Sequence, residues 1–180
     1  MNYIVFDLEA SCWKFPKDRE EQEIIEIGAV KLNAYGEAVD TFQSFVKPVL
    51  HPVLSHFCVE LTGIDQEMVN RAPTFSKVAY RFEEWLGSEG HYGIAAWGKF
   101  DELMLKINCR QHRMEEFWVG DVVNLKKQYA DIKGLKNPIG LKKAVTMEGF
   151  EFEGDHHRAI DDAKNTAKIF AKYLDDWVFM

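Results

Sequence analysis

Apolar and polar positions alternate through the opening of the chain, and YIVFDLEA predicts a first strand over Tyr3–Ala10. Strand side chains alternate faces, so Asp7 and Glu9, two residues apart, point the same way. Two like charges on one face of an apolar strand repel and are costly to desolvate. Either a shared cation holds them, or that end of the strand lies in water. A polar loop, SCWKFPKDREEQE, with Trp13 and Pro16, leads to a second strand over Glu23–Leu32. Gly36 in NAYGE makes a turn, and a third strand follows near AVDTFQSFVKP, stopped by Pro48. Short connections between three early strands predict an antiparallel meander or a mixed sheet. Helical spacing then sets in, with Phe75, Val78, Phe82, Trp85 and Leu86 on one side of FSKVAYRFEEWL. GIAAWG is a short apolar strand ending at Gly98, and DELMLKINCRQHR is a helix. FWVGDVVNL reads as a fifth strand running into another helix, and HRAIDDAKNTAKIFAKYLDDW is the strongest helix in the chain. The order β-β-β-α-β-α-β-α-α predicts one layered α/β domain over residues 1–180, without repeats or low-complexity linkers.

Charge changes this picture only locally. The net charge of −7 argues against a basic nucleic-acid coat or a polybasic membrane patch. Residues 99–143 nevertheless hold 10 Lys/Arg against 6 Asp/Glu, leaving room for a weak basic face. Cys12, Cys58 and Cys109 form no CxxC pair, and their odd count fits a reducing, cytoplasmic setting. No signal peptide is read, and no segment reaches the roughly 18 apolar residues that span a membrane.

Two further stretches bear on the acid pair. Asp101 in WGKFDEL follows the GIAAWG strand at its C-terminal side, where open α/β sheets place their chemistry. On position alone, the commoner reading is an acid in the first turn of a helix, meeting free amides and the dipole. In the last helix Ala159, Ala163, Ala167, Phe170 and Leu174 form an apolar stripe. Asp162 borders that stripe and Thr166 continues its edge, whereas Asp161 lies with Lys164, Asn165, Lys168 and Lys172 on the side expected to face water. A core-facing Asp needs a partner, and no basic side chain on the stripe supplies one. His157, just upstream, can reach the same opening, and His156 is expected to point elsewhere.

Taken together, DLE at Asp7–Glu9, WGKFD ending in Asp101 and HRAIDDA from His157 to Ala163 resemble the DEDDh 3′-to-5′ exonucleases, a ribonuclease H-like branch. EIIEIGAVKL, SFVKPVLHPVLSHFCVELTGI and APTFSKVAYRFEEWL are similar to the subgroup related to the enzyme that trims histone-mRNA and small-RNA 3′ ends. The resemblance covers nearly the whole chain. It implies a central mixed five-stranded sheet flanked by helices. Relatives in that subgroup often carry an added nucleic-acid-binding module, for which this length leaves no room, so a bare nuclease domain is expected.

The resemblance also implies a chemistry. Asp7, Glu9, Asp101 and Asp162 would ligate two divalent ions, Mg²⁺ with Mn²⁺ as a substitute, and His157 would be the general base. Leu8, Ala10 and Ser11 would surround the terminal sugar, Leu61 and Thr62 would wall the terminal base, and Phe100 would stack on it. Ordinary core packing accounts equally well for Phe100. Lys99, Lys126 and Lys127 read either as phosphate contacts or as a solvated face, and Trp13 sits in a loop beside the site. The expected activity is metal-dependent hydrolysis from the 3′ end of single-stranded RNA, releasing nucleoside 5′-monophosphates, by a monomer or homodimer with no membrane partner. The alternatives are the same chemistry on DNA, a hydrolase for a small nucleotide phosphate, or a non-catalytic nucleic-acid-binding domain. A binding module has no need of the full set Asp7, Glu9, Asp101, His157 and Asp162.

Overall fold

Five strands form one sheet in a computed structural model that describes residues 1–15, 21–87 and 92–179. Pro16 and the remainder of the polar loop to residue 20 lie outside the described residues. The sheet order is β3-β2-β1-β4-β5, with β1 Asn2–Ala10, β2 Ile24–Leu32, β3 Ala38–Phe45, β4 Tyr92–Ala96 and β5 Val122–Asn124. The first three strands form the antiparallel meander, while β4 and β5 run parallel to β1. The sheet is therefore mixed. Its helices are α1 His56–Thr62, α2 Gln66–Arg71, α3 Phe75–Leu86, α4 Phe100–Gln111, α5 Leu125–Ile132, α6 Leu141–Met147 and α7 Ala159–Lys172.

Alternation along β1 divides the core. Ile4, Phe6, Leu8 and Ala10 pack with α3 and α4 residues such as Phe82 and Met104. Tyr3 and Val5 pack on the other face with Ala163, Ala167 and Phe170 of α7. Asp7 and Glu9 continue this second face, so the acid pair of β1 lies on the side covered by α7.

Three short helices, α1, α2 and α6, were not anticipated from the pattern. Each has 6 or 7 residues, too few to show a helical period. Ser55 and Asp65 cap α1 and α2 by accepting the amides of Cys58 and Met68. The predicted fifth strand shrinks to Val122–Asn124, because Phe117–Val119 is a single 3-10 turn and Gly120 takes a left-handed φ of 64°. The last helix begins at Ala159 rather than His157, since His157 has φ 68° and Arg158 is extended. Asn165, expected toward water, is fully buried: its side chain bonds Glu153 and the Asp161 carbonyl, where residues 151–155 fold over that side of α7. Among the described residues no helix is long and apolar enough to cross a membrane.

Candidate active site

Register brings the acidic residues together. Asp7 pairs with Gly28 and Glu9 with Glu26 across the β1–β2 ladder, so all four positions share the face beneath α7. A Cβ on Gly28 would lie 2.2 Å from the Ile160 nitrogen, so the missing side chain lets the start of α7 rest directly on β2. Asp162, in the first turn of α7, is thereby delivered to the acid pair. Oxygens of Asp7, Glu9 and Asp162 all lie within 4.8 Å of one another. Asp101 arrives from the opposite side at the start of α4, and its Oδ1 accepts the Leu8 amide at 3.1 Å. Glu9, Asp101 and Asp162 are buried, and Asp7 is half-buried.

This crowding perturbs every acid in the group. Burial, reinforced by Asp101, Asp162, Glu9 and Glu26, holds the Asp7 carboxyl well above its ordinary value. Burial and neighbouring carboxylates push Glu9 up to about 9. Burial raises Asp101 to about 7 against the Leu8 amide bond, and Asp162 to about 6 against the His157 amide bond. Asp162 Oδ2 accepts the His157 amide at 3.0 Å, while its buried Oδ1 has no hydrogen-bond partner among the described residues. Four convergent carboxylates, one with an orphaned buried oxygen, fit hard divalent cations.

The histidines do not divide as expected. His156 does not point elsewhere: its Nδ1 lies 3.3 Å from Asp162 Oδ2, and its ring stacks on His157 with centroids 4.0 Å apart. The left-handed turn at His157 folds the two rings onto each other. Burial lowers both imidazole pKa values, with His156 also depressing His157, so both favour the neutral form near pH 7.

The exonuclease family RNase T matches residues 4–170. The chain belongs to this exonuclease family. It is 34% identical over 181 residues to mouse 3′-5′ exoribonuclease 1, an alignment covering 96% of this chain and 52% of that protein. It is 32% identical over 205 residues to Xenopus laevis ERI1 exoribonuclease 2, covering 98% of this chain and 29% of that protein. The chain thus spans about half, or less, of the length of these curated relatives. Among solved structures, the nuclease domain of 3′hExo, a DEDDh family member bound to rAMP, superposes with a TM-score of 0.89 at 32% identity, covering 97% of this chain and 92% of that one. The 3′-exonuclease in 3′-end specific recognition of the histone mRNA stem-loop gives a TM-score of 0.88 at 32% identity, with coverages of 97% and 82%. The ribonuclease H-like DEDDh fold expected from the sequence is the fold of this chain.

The residues expected to hold an exonuclease substrate are placed unevenly. Leu8, Ala10 and Ser11 are buried, and the Ser11 hydroxyl accepts the Glu23 amide at 2.9 Å. Thr62 is buried too; its hydroxyl donates to the Cys58 carbonyl and accepts the Ile64 amide. Leu61 remains open on α1, at 38% exposure. Phe100 is half-buried against the α3–α4 side of the core. Trp13 meets the His51 ring edge-on at 5.2 Å. Lys99 and Lys127 line a surface groove of about 450 Å³ together with Glu102, Asp121 and Asp131, which makes that face mixed rather than basic.

Sequence reasoning missed Glu26, Gly28 and Arg158. The readable signal was a charged residue inside the otherwise apolar run IIEIGAV, followed two residues later by a glycine on the same face. Glu26 is wholly buried and accepts hydrogen bonds from Arg158, from the Ala159 amide and from Gln43.

Proposed function

We propose that this chain is one exonuclease domain across residues 1–180 that hydrolyses single-stranded RNA from its 3′ end, releasing nucleoside 5′-monophosphates. The observation that carries the reading is that Asp7, Glu9 and Asp162 lie within ligand reach of one another, with Asp101 held on the Leu8 amide beside them and the imidazole of His157 grouped with Asp162. The preference for RNA rests on relatives named exoribonucleases and on a structural neighbour bound to rAMP. Asp7, Glu9, Asp101 and Asp162 would hold two divalent ions, Mg²⁺ or Mn²⁺. When bound, such ions supply charge neutralisation at the scissile phosphate and an acidified water. The chain's own groups do the rest. His157, neutral at pH 7, takes a proton from the attacking water as its oxygen bonds to phosphorus. The bond to the 3′ oxygen of the penultimate nucleotide breaks, leaving that oxygen on the shortened strand, where it takes a proton from solvent to become the new 3′-hydroxyl. His157 then returns its proton to solvent. Asp162 orients the histidine by accepting its backbone amide. Leu61 and Thr62 wall the place for the terminal base, Phe100 stacks on it, and Leu8, Ala10 and Ser11 surround its sugar through backbone and packing. The three free cysteines suit the cytoplasm.

The test uses 5′-labelled linear RNA, linear DNA of the same sequence and circular RNA, with Mg²⁺ and after chelation. The linear RNA should shorten stepwise, faster than the DNA, the circle should survive, and chelation should stop the reaction. Cleavage of the circle at a comparable rate would mean an endonuclease, and undiminished turnover in metal-free protein would remove the carboxylates from the chemistry.

A further inference from the structure

Glu26 sits on β2 directly opposite Glu9, with no solvent exposure. A fifth carboxylate beside four others would be costly to bury unless it did something. Every side-chain acceptor direction it has is used. Oε2 accepts Arg158 Nε at 3.1 Å and the Ala159 amide at 3.1 Å, and Oε1 accepts Arg158 Nη2 at 3.3 Å and Gln43 Nε2 at 2.7 Å. The Arg158 guanidinium is covered on one side by the Phe45 ring, 5.2 Å away. The result is a two-pronged clamp between the middle of the sheet and the residue that immediately precedes α7.

That residue follows the one strained position of the site. His157 has φ 68°, a left-handed conformation that is strained for a residue with a Cβ and persists only where its surroundings enforce it. Two contacts do so. On the N-terminal side the His157 amide is held by Asp162 Oδ2 at 3.0 Å. On the C-terminal side Arg158 and Ala159 are held by Glu26. Asp162 itself depends less on Glu26. It lies inside the helix, its amide bonded to the Arg158 carbonyl, and the helix start rests on Gly28. Releasing the clamp would therefore relax His157 before it moved Asp162.

Given the exonuclease reading above, we propose that Glu26, through Arg158, is a positioning residue that fixes His157 in its left-handed conformation and so aims its imidazole at the attacking water.

A double-mutant cycle separates this from a structural role and from failure of the exonuclease reading itself. Wild type and His157→Ala on linear RNA test the reading: if the wild type does not degrade RNA, or His157→Ala is as fast, the reading falls. The inference is tested by Glu26→Gln in each background, by single turnover at saturating Mn²⁺. Alone, Glu26→Gln should lower the turnover rate by about 10²-fold, the scale of a small misplacement of a catalytic group. KM for RNA and Mn²⁺ affinity, measured by calorimetry without substrate, should change less than about threefold. In the His157→Ala background the same substitution should cost less than about twofold, because its target is gone. Arg158→Lys should fail like Glu26→Gln, since an ammonium keeps the charge but not the fork. Equal losses in both backgrounds, a parallel fall in Mn²⁺ affinity, or full activity of Arg158→Lys would each overturn the proposal. Should Glu26→Gln fail to fold, the pair Glu26→Gln with Arg158→Gln removes both buried charges together and enters the same cycle.

Discussion

At the scale of single residues, the site is a balance of charges that the native fold makes expensive. Glu9 at about 9, Asp101 at about 7 and Asp162 at about 6 are all raised first by burial and further by nearby carboxylates. Their unfolded values lie near 4. The folded chain therefore holds protons that the unfolded chain has released. The stability linked to them is complete below about pH 4 and is lost as pH rises toward about 9. Divalent ions compete for the same oxygens, so their stabilising effect should grow over that interval. Thermal melts between pH 5 and 9, with and without Mg²⁺, should show this widening gap; a gap that stays constant would place the ion elsewhere. The stacked histidines give a second expectation. His157→Ala should lower single-turnover rates by roughly 10²–10⁴ while leaving metal binding intact. His156→Ala removes one hydrogen-bond contact to Asp162 and the ring that backs His157, which should cost about tenfold. A normal rate for His157→Ala beside a slow His156→Ala would exchange the two roles. The carboxylates were legible because spacing within a strand and a helix fixes which face a residue occupies. The positions of His156 and Glu26 were not, because one depends on a single reversed φ and the other on the pairing of two strands far from α7 in sequence.

Among the elements, the long periodic ones were readable and the short ones were not. Strands β1 to β4 and helices α3, α4 and α7 each carry enough residues to show a period, whereas α1, α2 and α6 rest on caps and tertiary packing. How α7 docks was hidden for a related reason: it turns on an absent side chain. Gly28 leaves no space for a Cβ against the Ile160 nitrogen and the Ala159 carbonyl carbon, both backbone atoms that cannot turn aside. Gly28→Ala should lift the start of α7 off β2, cost roughly 1–3 kcal/mol and separate Asp162 from Asp7. Chemical denaturation together with Mn²⁺ affinity would check this; unchanged affinity would mean that α7 is not delivered to the site by this contact. The far end of α7 is held by a different device. Glu148 accepts from Tyr129 of α5, from Tyr173 and Lys172 at the end of α7, and from Lys133. Burial alone would raise its pKa, but these four donors overcome it and lower the carboxyl to about 2. A lowered value gives stability that is present above about pH 4.5 and is lost as pH falls toward 2. Glu148→Gln should therefore destabilise by ~2 kcal/mol at pH 7 and by much less near pH 2.5, read from denaturant midpoints. An equal penalty at both pH values would mean that shape rather than charge holds this junction.

Over the whole molecule, a net charge of −7 must be reconciled with the polyanionic substrate proposed above. The region richest in lysine and arginine does not resolve the conflict, since the groove lined by Lys99 and Lys127 also presents Glu102, Asp121 and Asp131. Nor is Arg158 available at the site, because it is committed to Glu26. For the proposed RNA substrate, attraction is expected to concentrate at the four carboxylates and the ions they would hold, over the last one or two phosphates, rather than to spread along the strand. This has a measurable signature. Each phosphate neutralised on a single strand contributes about 0.7 to the slope of log affinity against log salt. A protein with a long basic track would show a slope of about 4 or more; here the slope should be about 1–2. On that expectation, lengthening the substrate beyond a few nucleotides should improve KM little. The measurement is KM for linear RNA at fixed, saturating Mg²⁺ while KCl rises from about 0.05 to 0.2 M. Lys99→Ala should leave the slope within about 0.7 of the wild-type value. A steep slope, or a KM that keeps falling with substrate length, would show that RNA is gripped along an extended surface and that the carboxylate cluster is not the principal point of capture.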